Sequence, residues 1–286
     1  MKPIRVLSLF NGMSVGYMAL QDAGIPVEKY YSSEIDKYAI AESQSNFPDI
    51  IQLGDVTKWR EWDIEWDKID LLMGGFPCQA WSVAGKQGGL NDIRGQLFLV
   101  MVEIFDHIKS LNPNLKFLFE NVKMKEDFKE YINSILGITP VLINSQHYTP
   151  HFRQRYYWYS TDKLFIPPAL SNAPKLQDII EDGWYTDRTA SYCIDANYFK
   201  GGDCNQYFNK SRRQLVFRDP VISRQYLLEN GKRNIDYRHL SVVECCKLQG
   251  VPEDFFKVSS KTQAYKMLGN GWTMPVISHL LREIFF

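Results

Sequence analysis

Ile4-Arg5-Val6-Leu7-Ser8-Leu9-Phe10-Asn11-Gly12-Met13-Ser14-Val15-Gly16 reads as a strand, a tight turn and the approach to a helix. The run Ile4–Phe10 has the length and the apolar content of a buried strand. Asn11–Gly16 is the turn, and Tyr17–Ala23 predicts a helix that stops at Gly24. A strand feeding a glycine turn and then a helix cradles nucleotide-type cofactors, because backbone N–H groups and the helix N-terminus face the ligand. Glycine alone decides little, since tight turns need it anyway. The spacing is not G-x-G-x-x-G, so the dinucleotide fingerprint is absent and a nicotinamide dehydrogenase is disfavoured.

The next strands continue the pattern. Tyr30–Ser33 predicts a short strand ending in Glu34, about twenty residues past the first turn, where a ribose-binding carboxylate belongs in such folds. The plainer reading of Glu34 is a solvated acid at a helix start, because Ile35–Ser43 looks helical. Ile50–Leu53 predicts a third strand, ended by Gly54-Asp55-Val56. Three successive strand ends thus carry Asn/Gly, Glu and Asp, a series that suggests an adenosine-containing cofactor.

Ile69-Asp70-Leu71-Leu72-Met73 predicts a central strand, and Gly74-Gly75-Phe76-Pro77-Cys78-Gln79 follows it. Pro77 fixes its own φ and pushes Phe76 toward extended geometry. The loop therefore presents a thiol at the carboxyl end of a strand, the edge where open α/β sheets bind ligands. A lone cysteine is more often an inert buried residue. Gly85-Lys86-Gln87-Gly88-Gly89 and Asn91–Gly95 come next, a candidate substrate-contacting loop or a plain connection. Gln96–Leu111 is amphipathic, with Leu97, Val100, Met101, Ile104, Phe105 and Ile108 on one face, and Pro113 closes it.

Lys116–Phe119 predicts a further strand that terminates in Glu120-Asn121-Val122. Glu120 is a general-acid candidate, and Phe117 and Phe119 predict apolar surroundings that favour its protonated form. Pro140–Ser145 and Arg155–Ser160 read as later strands. Between them, Arg153 and Arg155 would point to one side of an extended chain. A structural ion pair or a contact to an anion or base would each use them.

The whole chain, 286 residues with 45% hydrophobic and 23% charged content and zero formal net charge, has the composition of a soluble globular protein. No apolar run reaches membrane-spanning length, and no signal peptide is expected at Met1-Lys2-Pro3-Ile4. Cys78, Cys193, Cys204, Cys245 and Cys246 show no CxxC spacing, so neither a disulfide framework nor a metal site is expected, and a reducing compartment fits. From Ile166 to Arg238 apolar periodicity weakens. Lys200–Arg238 holds nine Lys/Arg against four Asp/Glu, interleaved with Tyr207, Phe208 and Phe217 and preceded by Tyr198 and Phe199. Such an insert suits phosphate contacts with aromatic base contacts, although a charge run is usually a solvated face. A Ser-x-x-Glu pattern, Ser241 to Glu244, opens a helix to Gln249. The chain closes with a turn, Leu268–Trp272, and an apolar helix, Pro275–Phe286.

Taken in order, Phe10-x-Gly12, Glu34, Asp55, Gly-Phe-Pro-Cys78-Gln, Glu120-Asn121-Val122, Arg153-x-Arg155, Leu248-Gln249-Gly250 and Gly269-Asn270 resemble the motifs of the cytosine-C5 DNA methyltransferases. The resemblance runs nearly end to end. The wording Leu-Ser-Leu-Phe-Asn-Gly, the short variable region and Trp272 are similar to the de novo-type branch and suit a phage or bacterial member. His151 stands where the family usually has Gln, and Gly271-Trp272 where many members have Ser and Val.

The resemblance implies a Rossmann-like S-adenosylmethionine-dependent methyltransferase fold, α/β with a mixed, mostly parallel sheet. Residues 1–165 plus 239–286 would form the catalytic domain and 166–238 a small target-recognition region. Cys78 would be the nucleophile, with Glu120, Arg155 and Arg153 assisting. Phe10, Asn11, Gly12, Met13, Ser14, Glu34, Ile35, Asp55, Val56, Gly75, Leu97, Asn270 and Trp272 would bind S-adenosylmethionine, leaving S-adenosylhomocysteine as product, with no metal. Duplex DNA would be the partner, with no membrane, in the cytoplasm of a bacterial or phage-infected cell or in a eukaryotic nucleus. Two alternatives are a tRNA cytosine-C5 methyltransferase and a non-catalytic DNA-binding partner of the same fold.

Overall fold

A computed structural model of the chain describes residues 1–77, 93–221 and 235–286, with side chains in the middle span from 96 onward. Cys78 and the glycine-rich stretch up to Asp92 lie outside the described residues, as does 222–234 of the basic insert. Two compact units emerge: Met1–Ile143 with Gln154–Ile166 and Ile277–Phe286, and Asn144–Arg153 with Pro167–Val276.

The first unit is built on β1 (Ile4–Leu9), α1 (Val15–Asp22), β2 (Val27–Ser33), α2 (Lys37–Asn46), β3 (Ile51–Gln52), β4 (Leu71–Gly75), α3 (Ile93–Leu111), β5 (Lys116–Val122) and α4 (Glu126–Leu136). β6 (Val141–Asn144) and β7 (Gln154–Tyr159) complete a seven-stranded sheet of order β3-β2-β1-β4-β5-β7-β6. The pairs from β3 through β5 are parallel, and β7 runs antiparallel to β5. The expected mixed, mostly parallel α/β sheet is what forms. Because β1 sits between β2 and β4, the strand order reverses there, and the crevice at the carboxyl ends of β1 and β4 is where such sheets bind ligands.

The core follows from the apolar stripe of α3. Phe98, Met101, Ile104, Phe105 and Ile108 pack with Leu7, Leu9, Leu72, Phe119 and Trp158 of the sheet. Each fully buried side chain of this size contributes about 1.5–3 kcal/mol. α8 (Met274–Phe285) meets α1 through Ser278 Oγ on the Ala19 carbonyl (3.4 Å) and Arg282 on Asp22 (2.9 Å).

The second unit holds α5 (Cys204–Lys210), the antiparallel pair β8 (Leu215–Phe217) and β9 (Tyr237–His239), α6 (Val242–Gln249) and α7 (Lys261–Asn270). The capping pattern that opens α6 forms both its bonds, Glu244 N to Ser241 Oγ (3.2 Å) and Ser241 N to Glu244 Oε2 (2.7 Å). Residues 239–276 belong to this compact unit rather than to the first. The link is local: Leu240 N donates to the Tyr198 hydroxyl (3.0 Å) and Glu181 N to Glu244 Oε1 (3.0 Å).

Three helices, α4, α5 and α7, run where no element was expected. α7 extends through Gly269 and Asn270, so the expected turn over Leu268–Trp272 begins only at Gly271. Its start carries a signal, Ser260 accepting from Gln263 N (3.4 Å). Among the described residues no helix is long and apolar enough to cross a membrane.

Candidate active site

In the first unit, sheet register lines up the residues singled out in sequence. Leu9 pairs with Ser33 on one side and Gly74 on the other, and Gly75 pairs with Glu120. The turn after β1, Glu34 after β2, Asp55 after β3 and the start of the cysteine loop after β4 therefore share one edge of the sheet.

The adenosine-type residues occupy that edge in three forms. Glu34 accepts from Gly12 N (2.7 Å) through Oε2 and from Ile35 N and Asp36 N (2.8 Å each) through Oε1, which ties β2's end to β1's turn. Asp55 is exposed and caps a 3-10 turn through Oδ1, accepting from Thr57 N (2.9 Å) and Thr57 Oγ1 (2.8 Å); those bonds hold its carboxylate below the usual range. Ile35 stands 74% exposed beside them. A Cβ built on Gly12 would meet nothing within 4 Å, so the space above the turn is open. Glu34, Ile35 and Asp55 are of the residue types that could hold the hydroxyl pair, ring face and amine of an adenosine. Met13, Ser14 and Val56 are buried, so their side chains act beneath the edge, whereas Phe10 and Leu97 pack partly against the core.

Glu120, 8% exposed, forms an ion pair with Arg155 Nε at 2.9 Å. β5 and β7 run antiparallel with Val122 opposite Arg155 and Glu120 opposite Tyr157, which puts the two charged side chains on one face at the diagonal position. Strand alternation puts Phe117 and Phe119 on the other face, packed on Phe105 with ring centroids 5.0 and 5.7 Å away. The expected apolar surroundings of Glu120 are thus replaced by a guanidinium. Arg155 also donates to the Gln154 carbonyl (2.8 Å). Next to Glu120, buried Asn121 donates from Nδ2 to the Phe76 carbonyl (3.1 Å), two residues ahead of Cys78.

In the second unit, Arg153 serves backbone carbonyls. Its guanidinium, 3% exposed, donates to the carbonyls of Ile194 (3.2 Å), Gly269 (3.1 Å) and Gly271 (2.8 Å). His151 Nε2 accepts from Ile194 N (3.2 Å), which requires the ring proton on Nδ1. The same loop touches α7 so closely that a Cβ on Gly269 would collide with the Asp195 backbone. A buried donor chain continues from Ser145 to Thr273 (2.9 Å), Thr273 to Gln249 (2.8 Å) and Gln249 to the Leu268 carbonyl (2.6 Å). Asn270 is exposed and Trp272 partly so at the end of this braced segment.

The basic insert is more structural than its sequence suggests. Tyr198, Tyr207 and Phe217 are fully buried core, not exposed stacking platforms. Arg218 and Arg238 stack on Trp184 with the guanidinium carbons 4.2 and 4.7 Å from the ring, and Arg238 pairs with buried Glu244 (2.7 Å). Burial raises the Cys245 thiol well above its ordinary pKa and Cys246 to about 12, which leaves both poor thiolate sources.

Comparison with known proteins settles the family. The model of C-5 cytosine-specific DNA methylases matches residues 4–175 and 169–285. This chain belongs to that family. The methylase is 32% identical over 98% of its length to Type II methyltransferase M1.ScrFI of Lactococcus lactis subsp. cremoris, covering 77% of that relative. It is 28% identical to Type II methyltransferase M.NlaX of Neisseria lactamica, covering 98% of this chain and 96% of the relative. Among solved structures, S. pombe Dnmt2 methyltransferase superposes with a TM-score of 0.72 at 16% identity, covering 99% of this chain and 98% of the other. A mutant of Spodoptera frugiperda DNMT2 gives 0.70 at 20%, covering 99% and 100%. At those identities the likeness is one of fold.

The methylase is thus a DNA cytosine-C5 methyltransferase with the expected Rossmann-like fold, and its family implies use of S-adenosylmethionine and a DNA substrate. Residues that sequence reasoning missed are polar and buried: Asn121, Gln249, Thr273 and Tyr30. Asn121 and Gln249 stand inside quoted motifs, yet only folding shows that they hold neighbouring backbone.

Proposed function

We propose that this methylase modifies C5 of a cytosine flipped out of duplex DNA, with Cys78 as covalent nucleophile. The observation that carries the reading is the Glu120–Arg155 ion pair, 2.9 Å long, with Gly75 of the cysteine-bearing segment paired to Glu120 in the sheet. C5 of cytosine is a weak nucleophile, and a thiolate bonding to C6 makes it enamine-like. Glu120 would protonate or hydrogen-bond N3 as the Cys78–C6 bond forms, and Arg155 would orient Glu120 and steady the ring oxygen. A base then takes the C5 proton, and the electron pair left behind forms the C5–C6 double bond. The C6–S bond breaks to release the Cys78 thiolate, and N3 returns its proton to Glu120. S-adenosylmethionine supplies an electrophilic methyl group when bound, held by the Phe10–Ser14 turn, Glu34, Ile35 and Asp55. The base must leave the stack because C5 is inaccessible within it.

The likeness to Type II methyltransferases of bacteria supports a modification role beside a restriction enzyme, in a cytoplasmic setting. The nuclear setting has no such support. The tRNA alternative is tested with the same assay.

Duplex DNA bearing 5-fluorocytosine at the target should trap the methylase, because fluorine cannot leave as a cation. The adduct should need S-adenosylmethionine, survive denaturing electrophoresis and map to Cys78. Cys78→Ser should give none, since an unactivated hydroxyl is a far weaker nucleophile. Mapping to Cys193, Cys204, Cys245 or Cys246 overturns the assignment, and transfer to tRNA but not to DNA overturns the substrate.

A further inference from the structure

The turn after β1 is held in an unusual backbone shape. Phe10 (φ 54°), Gly12 (φ 58°) and Ser14 (φ 66°) all lie in the left-handed region. Glycine enters that region freely, but a phenylalanine and a serine do so only where surrounding structure compels them.

A chain of side chains reaching in from two other elements braces this turn. Tyr30 OH, on β2, donates to Asn11 Oδ1 (2.9 Å). Asn11 Nδ2 donates to Ser14 Oγ (2.6 Å), and Ser14 Oγ shares a hydrogen bond with Ser43 Oγ on α2 (2.6 Å). Ser14 is the residue before α1, yet its side chain makes no capping bond to that helix. Its hydroxyl serves the chain instead. Tyr30 is fixed in turn by edge-on packing against Tyr17, ring centroids 5.2 Å apart. Tyr30, Ser14 and Ser43 are all buried, so none can touch a ligand above the turn. The turn's outer side carries the contacts: Gly12 N is aimed at Glu34 Oε2 at 2.7 Å.

We propose that Tyr30 and Ser43, acting through Asn11 and Ser14, are positioning residues for S-adenosylmethionine, holding the strained turn in the shape that presents Gly12 and Glu34. This rests on the reading of that edge as the cofactor site. Side chains that only stabilised the fold would lower the melting temperature without favouring the cofactor in their effect. Positioning residues instead change the cofactor's affinity in protein that remains folded. Because the two hydroxyls serve one chain, their effects should also be coupled rather than independent.

The test titrates S-adenosylhomocysteine into wild type, Tyr30→Phe, Ser43→Ala, the double variant and Glu34→Gln by calorimetry, with melting curves for each. Tyr30→Phe and Ser43→Ala should each weaken binding by about three- to tenfold, the loss of one ordinary hydrogen bond. The double variant should weaken it by less than the product of the two. In methylation assays the KM for S-adenosylmethionine should rise by more than kcat falls. Wild-type affinity in Tyr30→Phe and Ser43→Ala, alongside weakened Glu34→Gln, overturns the positioning role and leaves the site standing. Wild-type affinity in Glu34→Gln overturns the site itself, and equal falls in melting temperature and kcat with unchanged affinity reduce the hydroxyls to structure.

Discussion

Asn121 Nδ2 reaches from β5 to the carbonyl oxygen of Phe76, 3.1 Å away, and so fixes the chain just after β4. Its own Oδ1 accepts from Val122 N at 2.8 Å, which locks the amide's orientation. Phe76 is buried and packs on Phe98 with ring centroids 4.9 Å apart, so both its backbone and its ring are anchored. Cys78 lies two residues further on. The neighbour of the proposed acid thus sets where the proposed nucleophile's loop begins.

Asn121→Ala should therefore act on chemistry more than on cofactor binding. Losing this one hydrogen bond to the Phe76 carbonyl costs about 0.5–1.5 kcal/mol of stability. A displacement of about 1 Å at a reacting group costs on the order of a hundredfold in rate. Single-turnover methylation should slow by tenfold to a hundredfold, roughly, with S-adenosylhomocysteine affinity retained. A wild-type single-turnover rate would show that the loop finds its place unaided.

The fold and the charged groups of this site were legible in sequence for one physical reason. Strand ends of an α/β sheet carry their chemistry in short local runs, and Asn11-Gly12, Glu34, Asp55, Pro77-Cys78 and Glu120 each ended such a run. Where side chains reach across the sequence, the signal disappears. The Phe117 and Phe119 faces depend on which side of β5 meets α3, and Arg153 depends on carbonyls more than forty and a hundred residues away. α4 was legible and was missed: Phe128, Tyr131, Ile132, Ile135 and Leu136 recur at helical spacing and pack on the core, and Gly137 at φ 70° marks its end. The aromatic residues of the basic insert misled in the other direction. Tyr198, Tyr207 and Phe217 are buried in the second unit, Tyr207 and Phe217 packing with Cys204 and Leu215.

The Arg238–Glu244 pair gives the second unit a dependence on acid. Glu244 accepts from Arg238 Nη1 (2.7 Å) and Nη2 (2.8 Å), from Ser241 N (2.7 Å) and from Glu181 N (3.0 Å). Burial alone would raise its pKa, but the bonds from Arg238 and the two backbone N–H groups outweigh it, and the carboxyl sits below its ordinary value. A depressed carboxylate contributes stability above its unfolded pKa of about 4.3, and that stability is lost as pH falls through the folded value. Glu244→Gln keeps the capping geometry and removes the charge, leaving Arg238 without that partner. It should cost roughly 3–5 kcal/mol at pH 7 in urea unfolding. The gap from wild type should hold down to about pH 4.3 and shrink below it. A gap independent of pH down to acid unfolding would show that the ion pair is not the source.

The two arginines that sequence placed together should part in their chemistry. Arg153 serves three backbone carbonyls with a planar fork, which a single lysine ammonium cannot copy; Arg155 serves one carboxylate, which it can approach. Arg153→Lys should lose about two charged hydrogen bonds, at roughly 1.5–3 kcal/mol each. At about 2–4 °C per kcal/mol for a chain of this size, the melting temperature should fall by roughly 6–24 °C. Well below that temperature the variant should still form the 5-fluorocytosine adduct at a rate near wild type, because its cation orders backbone and not the ring. Arg155→Lys should show the opposite pattern, a smaller change in melting and an adduct that forms at least tenfold more slowly, roughly the loss of one oriented charged contact. If Arg153→Lys melts like wild type but traps slowly, the guanidinium touches the base after all, and the three carbonyl bonds are not what it is there for.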